Sequence, residues 1–391
     1  MSVLQEEIIG TELWWDKIDN DISIIFWGCG NNAHIVRKEL GKKGIYPTVY
    51  CDNNKELQNT IFDGIKILSY DEIRNVYDKY VIILTTAIKG AFEIVEQLKL
   101  AGEKNPVYHM EKAFKVEDEM LEKDDVLENI QKYQEVFDWL GDELSKKIFV
   151  ENIKFRMTGD KRILAKFSDG DTFFDEKIIP KRSDYSYMDV GAYTGDTLLR
   201  FYAFCQGKYN KLYASEPDKG NFAAMQKLIK YGRLEQVRLF PYGCWDKEDI
   251  LTFYTIKDEN KENFDSPNFY KNMNETVPNR WKIPIDKFVE EKIAVNTVDN
   301  LLAGEKCSII KINALAADFR VLKGCRNTIN RYKPIVVGEY GTKKENLTDM
   351  MIYLKQLNPD YKLVLREKKI FGDYKTVYYA IDRRNMKKCT D

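Results

Sequence analysis

Twice in this chain an apolar run ends in a glycine-bearing turn and passes straight into a helix-forming stretch. The first is "ISIIFWGCG" followed by "NNAHIVRKELGKKG", residues 22–44. The second is "YSYMDVGAYTGDT" followed by "LLRFYAFC", from residue 185. Near-continuous apolar strands suit a sheet covered on both faces, and such sheets are parallel, with helices as crossovers. The pattern predicts an α/β chain with two wound sheets. In each, ligands are expected at the carboxyl ends of the strands.

The other elements fit the same plan. In the first part, 46–52 and 78–86 read as strands and 91–102 as a helix ending in "AG". In the second, strands are expected at 211–216, 237–246, "SIIKIN" and "PIVVGEYG". Helices are expected at "AAMQKLIKYG", "FRVLKGCRNTINRY" and "NLTDMMIYLKQLNP", with a short β element at "DILTFYTI". "YKLVLREKK" and "KTVYYAIDRR" read as an antiparallel hairpin around "FGD". Residues 111–150 hold no proline and one glycine, and their apolar spacing is helical, which predicts a helical connector with a solvated acidic face. The expected domains are 1–110, a connector at 111–155, and 156–391. The stretch 257–292 is long, polar and irregular. Its Phe269, Tyr270 and Trp281 suit either stacking on a sugar ring or an ordinary flap.

Composition excludes several function classes. At 391 residues the chain exceeds one ordinary core. Its 61 Lys+Arg balance 62 Asp+Glu, giving no electrostatic case for a nucleic-acid or membrane partner. Cysteines at 29, 51, 205, 244, 307, 325 and 389 include no C-x-x-C, which argues against a disulfide framework or a zinc ribbon and fits a reducing compartment. The start "MSVLQEEIIGTELWW" lacks the pattern of a signal peptide, and no apolar run is long enough to span a bilayer. A cytoplasmic protein without a resident metal is expected; its oligomeric state is open. The two histidines, His34 and His109, both lie in the first third, so chemistry in the second α/β part needs another base.

The two glycine turns point to different ligands. "WGCGNNAHI" fits G-x-G-x-x-A with Gly28, Gly30 and Ala33, and Asp52 follows the second strand. Gly28 permits a tight turn, Gly30 lets backbone approach a phosphate, and Asp52 is placed to accept a ribose hydroxyl. A nucleotide or nucleotide-sugar site and a purely structural turn are both open readings here. In "DVGAYTGDT", Gly191 and Gly195 allow close backbone approach and Asp189 ends the strand. Glu216 ends the next strand, where an acid would grip both ribose hydroxyls of an adenosine. Asp189 would repel a pyrophosphate but suits an ammonium group, which favours S-adenosylmethionine (SAM) over a dinucleotide.

"MDVGAYTGDTLLRF", "YASEPDKGNF", "PYGCWDKED" and "LKGCRNTINRYKP" together resemble the FkbM-type family of SAM-dependent methyltransferases, over about 185–384. The N-terminal segment resembles, more weakly, the small Rossmann-like domains at the front of sugar-modifying proteins. The likeness implies two Rossmann-like domains, the second a class I methyltransferase sheet with a reversed C-terminal hairpin. It implies transfer of a methyl group from SAM to a hydroxyl of a sugar-containing or related small-molecule or glycan acceptor. Carried over, Asp189, Gly191, Ala192, Tyr193, Gly195 and Asp196 would line the methionine side and Glu216 would hold the ribose. Tyr242, Gly243 and Trp245 would lie near the adenine, with a core role for Trp245 equally open.

One motif departs from that family. Its strand-4 turn commonly reads K-M-D-I-E-G-A-E, whereas this chain reads "KINALAAD". Asn313 replaces an Asp, Leu315 replaces a Glu, and Asp318 stands for the second Glu. The histidine that often follows strand 5 is replaced by "GEYGTKK". Candidate bases are therefore Asp318, Glu339 and Asp196, while Asn313 can orient a substrate hydroxyl but not deprotonate it. Asp318 is also suited to helix capping, and Glu339 to a salt bridge with Lys343 or Lys344. A catalytically altered protein that keeps the pocket as a binding module is the alternative reading, and an NAD or nucleotide-sugar enzyme built on the first turn is a third.

Overall fold

Strand β1 (Ser23–Trp27) shows how the first sheet is covered. Its Ile24 and Phe26 pack with Ala33, Val36 and Leu40, while Ile25 and Trp27 pack with Ile73, Ala91 and Ile94. Alternate strand residues face opposite sides, so both faces are buried. In this computed structural model the described residues are 1–19, 21–111, 120–256, 288–314, 317–340, 344–370 and 373–382. The first sheet adds β2 (Val49–Cys51), β3 (Ile61–Phe62), β4 (Ile65–Leu68), β5 (Tyr80–Leu84) and β6 (Val107–His109). Its order is β3-β4-β2-β1-β5-β6. All pairings are parallel except β3 with β4. That hairpin turns on Asp63 and Gly64, both at positive φ (52° and 79°), the two-residue geometry that Asp-Gly favours.

The second sheet comprises β7 (Ser186–Val190), β8 (Lys211–Ser215), β9 (Val237–Phe240), β13 (Ile309–Ile312), β14 (Ile335–Glu339), β15 (Tyr361–Ile370) and β16 (Asp373–Asp382). Its order is β15-β16-β14-β13-β7-β8-β9. The five strands from β14 to β9 are parallel, and β16 and β15 close the edge antiparallel. A smaller sheet pairs β10 (Gly243–Cys244), β11 (Asp249–Ile256) and β12 (Phe288–Asn296) in the order β10-β12-β11.

Three expectations change. The strand read at 237–246 is two strands in two sheets, because Pro241 has no N–H to continue the ladder. The helix read through "FRVLKGCRNTINRY" is two, Asp318–Lys323 and Arg326–Tyr332. Between them Gly324 lies against the Trp245 carbonyl, where a Cβ would sit 2.0 Å from the oxygen. The second helix starts on Asp299, whose carboxylate accepts the Asn327 and Thr328 N–H groups at 2.8 Å each. Finally, the end of the stretch read as an irregular loop belongs to β12. Phe269, Tyr270 and Trp281 lie outside the described residues.

The chain divides into two units. The first holds Met1–Asn129 with Val150–Lys166; the second holds Ile130–Phe149 and the described residues from Phe167 onward. Residues of the expected connector thus contribute to both. In the second unit Trp139 is buried and donates its indole N–H to Tyr361 O at 2.6 Å. Among the described residues no helix is long and apolar enough to cross a membrane.

Candidate functional site

The strand order of the second sheet reverses between β7 and β13, which puts a crevice at their carboxyl ends. Two turns meet there. Asn313 N–H donates to Val190 O at 3.2 Å. Gly191 has φ +70°, and a Cβ on it would lie 2.1 Å from Asn313 O. Both conformation and contact therefore require glycine. The turn continues through Tyr193 (φ 51°) to Gly195 (φ 89°), which precedes the helix Asp196–Phe204. Ala192 is fully buried in the core. Asp196 begins the helix, and burial pushes its carboxyl up, opposed by the Lys311 charge.

Glu216 follows β8 and reaches back to this turn. Its carboxylate accepts the Tyr193 N–H at 2.9 Å and the Asp218 N–H at 2.9 Å. Burial pushes it up to about 7, despite the opposing effect of those two hydrogen bonds. Each carboxylate oxygen has more than one lone pair, so the group can still accept hydroxyl donors. Ser215 and the chain after β9 close the next side: Ser215 Oγ donates to Tyr242 O at 2.5 Å, and Gly243 opens β10 beside Pro217. Trp245 packs with Leu251, Ile293 and Val295 in the core of the small sheet, and the Arg320 guanidinium lies 5.8 Å from its ring centre.

Asp189 differs from the expectation of a carboxylate facing a ligand's ammonium. It is fully buried. Its Oδ1 lies 3.0 Å from Lys311 Nζ, and its Oδ2 accepts the Thr197 hydroxyl. The β7–β13 register sets Lys311 directly beside Asp189. Lys311 is itself buried and also donates to Gly191 O at 3.0 Å. Lys311 and Thr197 were not read from the sequence as site residues. The lone lysine in "SIIKIN" was the available signal, since a charge inside a buried strand needs a partner.

The acceptor-side acids have internal partners. Asp318, the first residue of its helix, is buried and its Oδ1 accepts the Ala314 N–H at 2.9 Å, closing the strand-4 turn. Burial pushes its carboxyl up, the Ala314 N–H opposes this, and the Glu339 charge adds to the rise. Glu339, at the end of β14, pairs with Lys375 of β16 at 2.9 Å. Asn313 supplies the backbone contact to β7 described above. Leu315 and Lys343 lie outside the described residues.

The first unit repeats one device. Asp52 Oδ2 accepts the Cys29 N–H at 3.0 Å and Oδ1 accepts the Asn54 N–H at 2.9 Å, the same link from a second-strand acid to a glycine turn. Gly28 has φ +115°, and a Cβ there would lie 2.7 Å from Thr86 Cγ2. Gly30 precedes the helix Asn31–Gly41, and Ala33 is packed into the core. His109 is buried, with Nε2 3.0 Å from Thr86 O.

Comparison with known proteins agrees with this geometry. Residues 189–361 match the family model of the methyltransferase FkbM domain, and residues 20–106 match a model described as C2185-like, N-terminal. No curated protein matches the chain. The solved structure of methyltransferase FkbM from Methylobacillus flagellatus KT is 17% identical, with a TM-score of 0.67 over 97% of this chain and 94% of its own; that likeness is one of fold. An rRNA methylase from Streptococcus thermophilus is 11% identical, with a TM-score of 0.30 over 54% of this chain and 92% of its own. A SAM-dependent methyltransferase from Aquifex aeolicus is 12% identical, with a TM-score of 0.26 over 52% of this chain and 84% of its own. Residues 189–361, which hold the acid-linked glycine turn and strands β8 to β14, are thus similar to the methyltransferase FkbM domain.

Proposed function

We propose that the protein is a SAM-dependent O-methyltransferase acting on a hydroxyl of a sugar-containing or related small-molecule acceptor. The observation that carries this reading is Glu216: a buried carboxylate tied to the glycine turn, pushed up to about 7 and able to accept hydroxyl donors. Those residues fit the ribose of SAM. The fit does not extend to Asp189, which is spent on Lys311 and Thr197. When bound, SAM supplies an activated methyl group, so holding the acceptor in line provides much of the rate. In this reading Glu339 and Asp318 serve the acceptor, and release of Glu339 from Lys375 would free it to take the hydroxyl proton.

Titration with S-adenosylhomocysteine (SAH), NAD and UDP-sugars tests the reading. Wild type is expected to bind SAH and not NAD, and Glu216→Ala to weaken SAH by at least about tenfold, since a charged hydrogen bond is worth about 1.5–3 kcal/mol. Absence of SAH binding by wild type contradicts the reading.

A second reading has its own support. Asp318 is committed to Ala314 and Glu339 to Lys375, so the acceptor side holds its acids in structural contacts. The protein would then bind SAM without turning over an acceptor. Gain of activity in Asn313→Asp with Leu315→Glu would favour this reading, and turnover by wild type would exclude it.

A further inference from the structure

We propose that Lys311 is a positioning residue that holds the glycine turn 191–195 in its cofactor-binding shape, a role distinct from neutralising Asp189. The inference rests on the cofactor reading given above. An ammonium has three donors. Lys311 Nζ lies 3.0 Å from Asp189 Oδ1 as an ion pair, and it donates to Gly191 O at 3.0 Å and Val190 O at 3.5 Å. Both of these hydrogen-bond acceptors are backbone carbonyls where β7 becomes the turn. The β7 pairings with β13 and β8 end at Val190. Gly191, at φ +70°, still donates its N–H to Ser215 O of β8 at 3.1 Å, while its carbonyl accepts from Lys311. The Phe173 ring lies 5.8 Å from the ammonium, whose charge also acts on the carboxyls of Asp196 and Asp318.

The chain around the ammonium forms a closed circuit. Asp189 accepts the hydroxyl of Thr197, in the helix after the turn, and Lys311 joins Asp189 to the carbonyls before it. Asn313, two residues after Lys311, donates its N–H to Val190 O and sets its own carbonyl against Gly191. One stretch of β13 thus fixes the turn through a side chain and a backbone contact. In this chain the strand-4 segment, which lacks two of the family's acids, still shapes the cofactor half of the site. Preorganisation of that kind strengthens binding by lowering the ordering cost.

The test separates holding the turn from balancing the charge. Lys311→Met leaves a buried carboxylate unpaired and is expected to unfold easily. The double variant Asp189→Asn/Lys311→Met removes both charges and is expected to recover most of the lost melting temperature. It still lacks the donors to Gly191 and Val190. Its SAH affinity is therefore expected to stay at least about tenfold below wild type, and amides 191–195 to exchange with deuterium at least about tenfold faster without ligand. Asp189→Asn alone keeps Lys311 and is expected to hold SAH affinity within about threefold of wild type. Wild-type affinity and wild-type protection in the double variant would overturn the proposal. So would a loss in Asp189→Asn as large as in the double, because the effect would then belong to Asp189. If wild type binds no SAH, the cofactor reading fails, and the exchange comparison still decides whether Lys311 holds the turn.

Discussion

At the scale of single residues, the site is governed by which groups have no substitute. Gly191→Ala must place a Cβ 2.1 Å from Asn313 O at φ +70°. The left-handed conformation alone costs about 1–2 kcal/mol, and relieving the contact requires moving β13 as well. A loss of at least about 2 kcal/mol in urea denaturation is expected, with SAH affinity reduced. Glu216 gives a signed pH effect. Burial raises it from 4.5 in the unfolded chain to about 7, so the folded state binds the extra proton between those values. Its contribution to stability is full below the unfolded value and is lost as pH rises towards 7, by about 3 kcal/mol in all. Wild type should lose more stability between pH 5 and pH 8 than Glu216→Gln. The positive φ of Gly191 and Gly195 and the strand-end place of Glu216 were legible in the sequence, because conformation and position leave few alternatives. The pairing of Asp189 with Lys311 was not legible, because Lys311 is 122 positions away in sequence and adjacent only through the β7–β13 register.

At the scale of elements, the strands were legible because parallel strands buried on both faces are mostly apolar, and β7, β13 and β14 are buried at nearly every position. Their ends were less so. The break in "FRVLKGCRNTINRY" depends on the carbonyl of Trp245 and on the carboxylate of Asp299, neither local in sequence. The hairpin at Asp63–Gly64 did carry a local signal, the Asp-Gly pair between apolar runs, which was not read as strands. Asp299 gives a test at this scale. Its carboxylate caps the helix Arg326–Tyr332 through two N–H groups and the Thr328 hydroxyl. Asp299→Ala should cost about 1–2 kcal/mol in thermal denaturation and leave SAH affinity unchanged.

At the scale of the whole molecule, the two sheets use one device, a second-strand acid bound to the first glycine turn, Asp52 in one and Glu216 in the other. Both acids follow a strand beside the point where the strand order reverses, β1/β5 in the first sheet and β7/β13 in the second. They differ in burial, which the sequence does not show: Glu216 is buried and Asp52 half-buried. The most direct measurement is a crystal structure of the protein with SAH. Both ribose hydroxyls are expected within hydrogen-bonding distance of the Glu216 carboxylate and the amino-acid tail over Gly191–Gly195, with Asp189 still on Lys311. SAH bound away from Glu216, or a ribose held by other groups, would contradict this expectation.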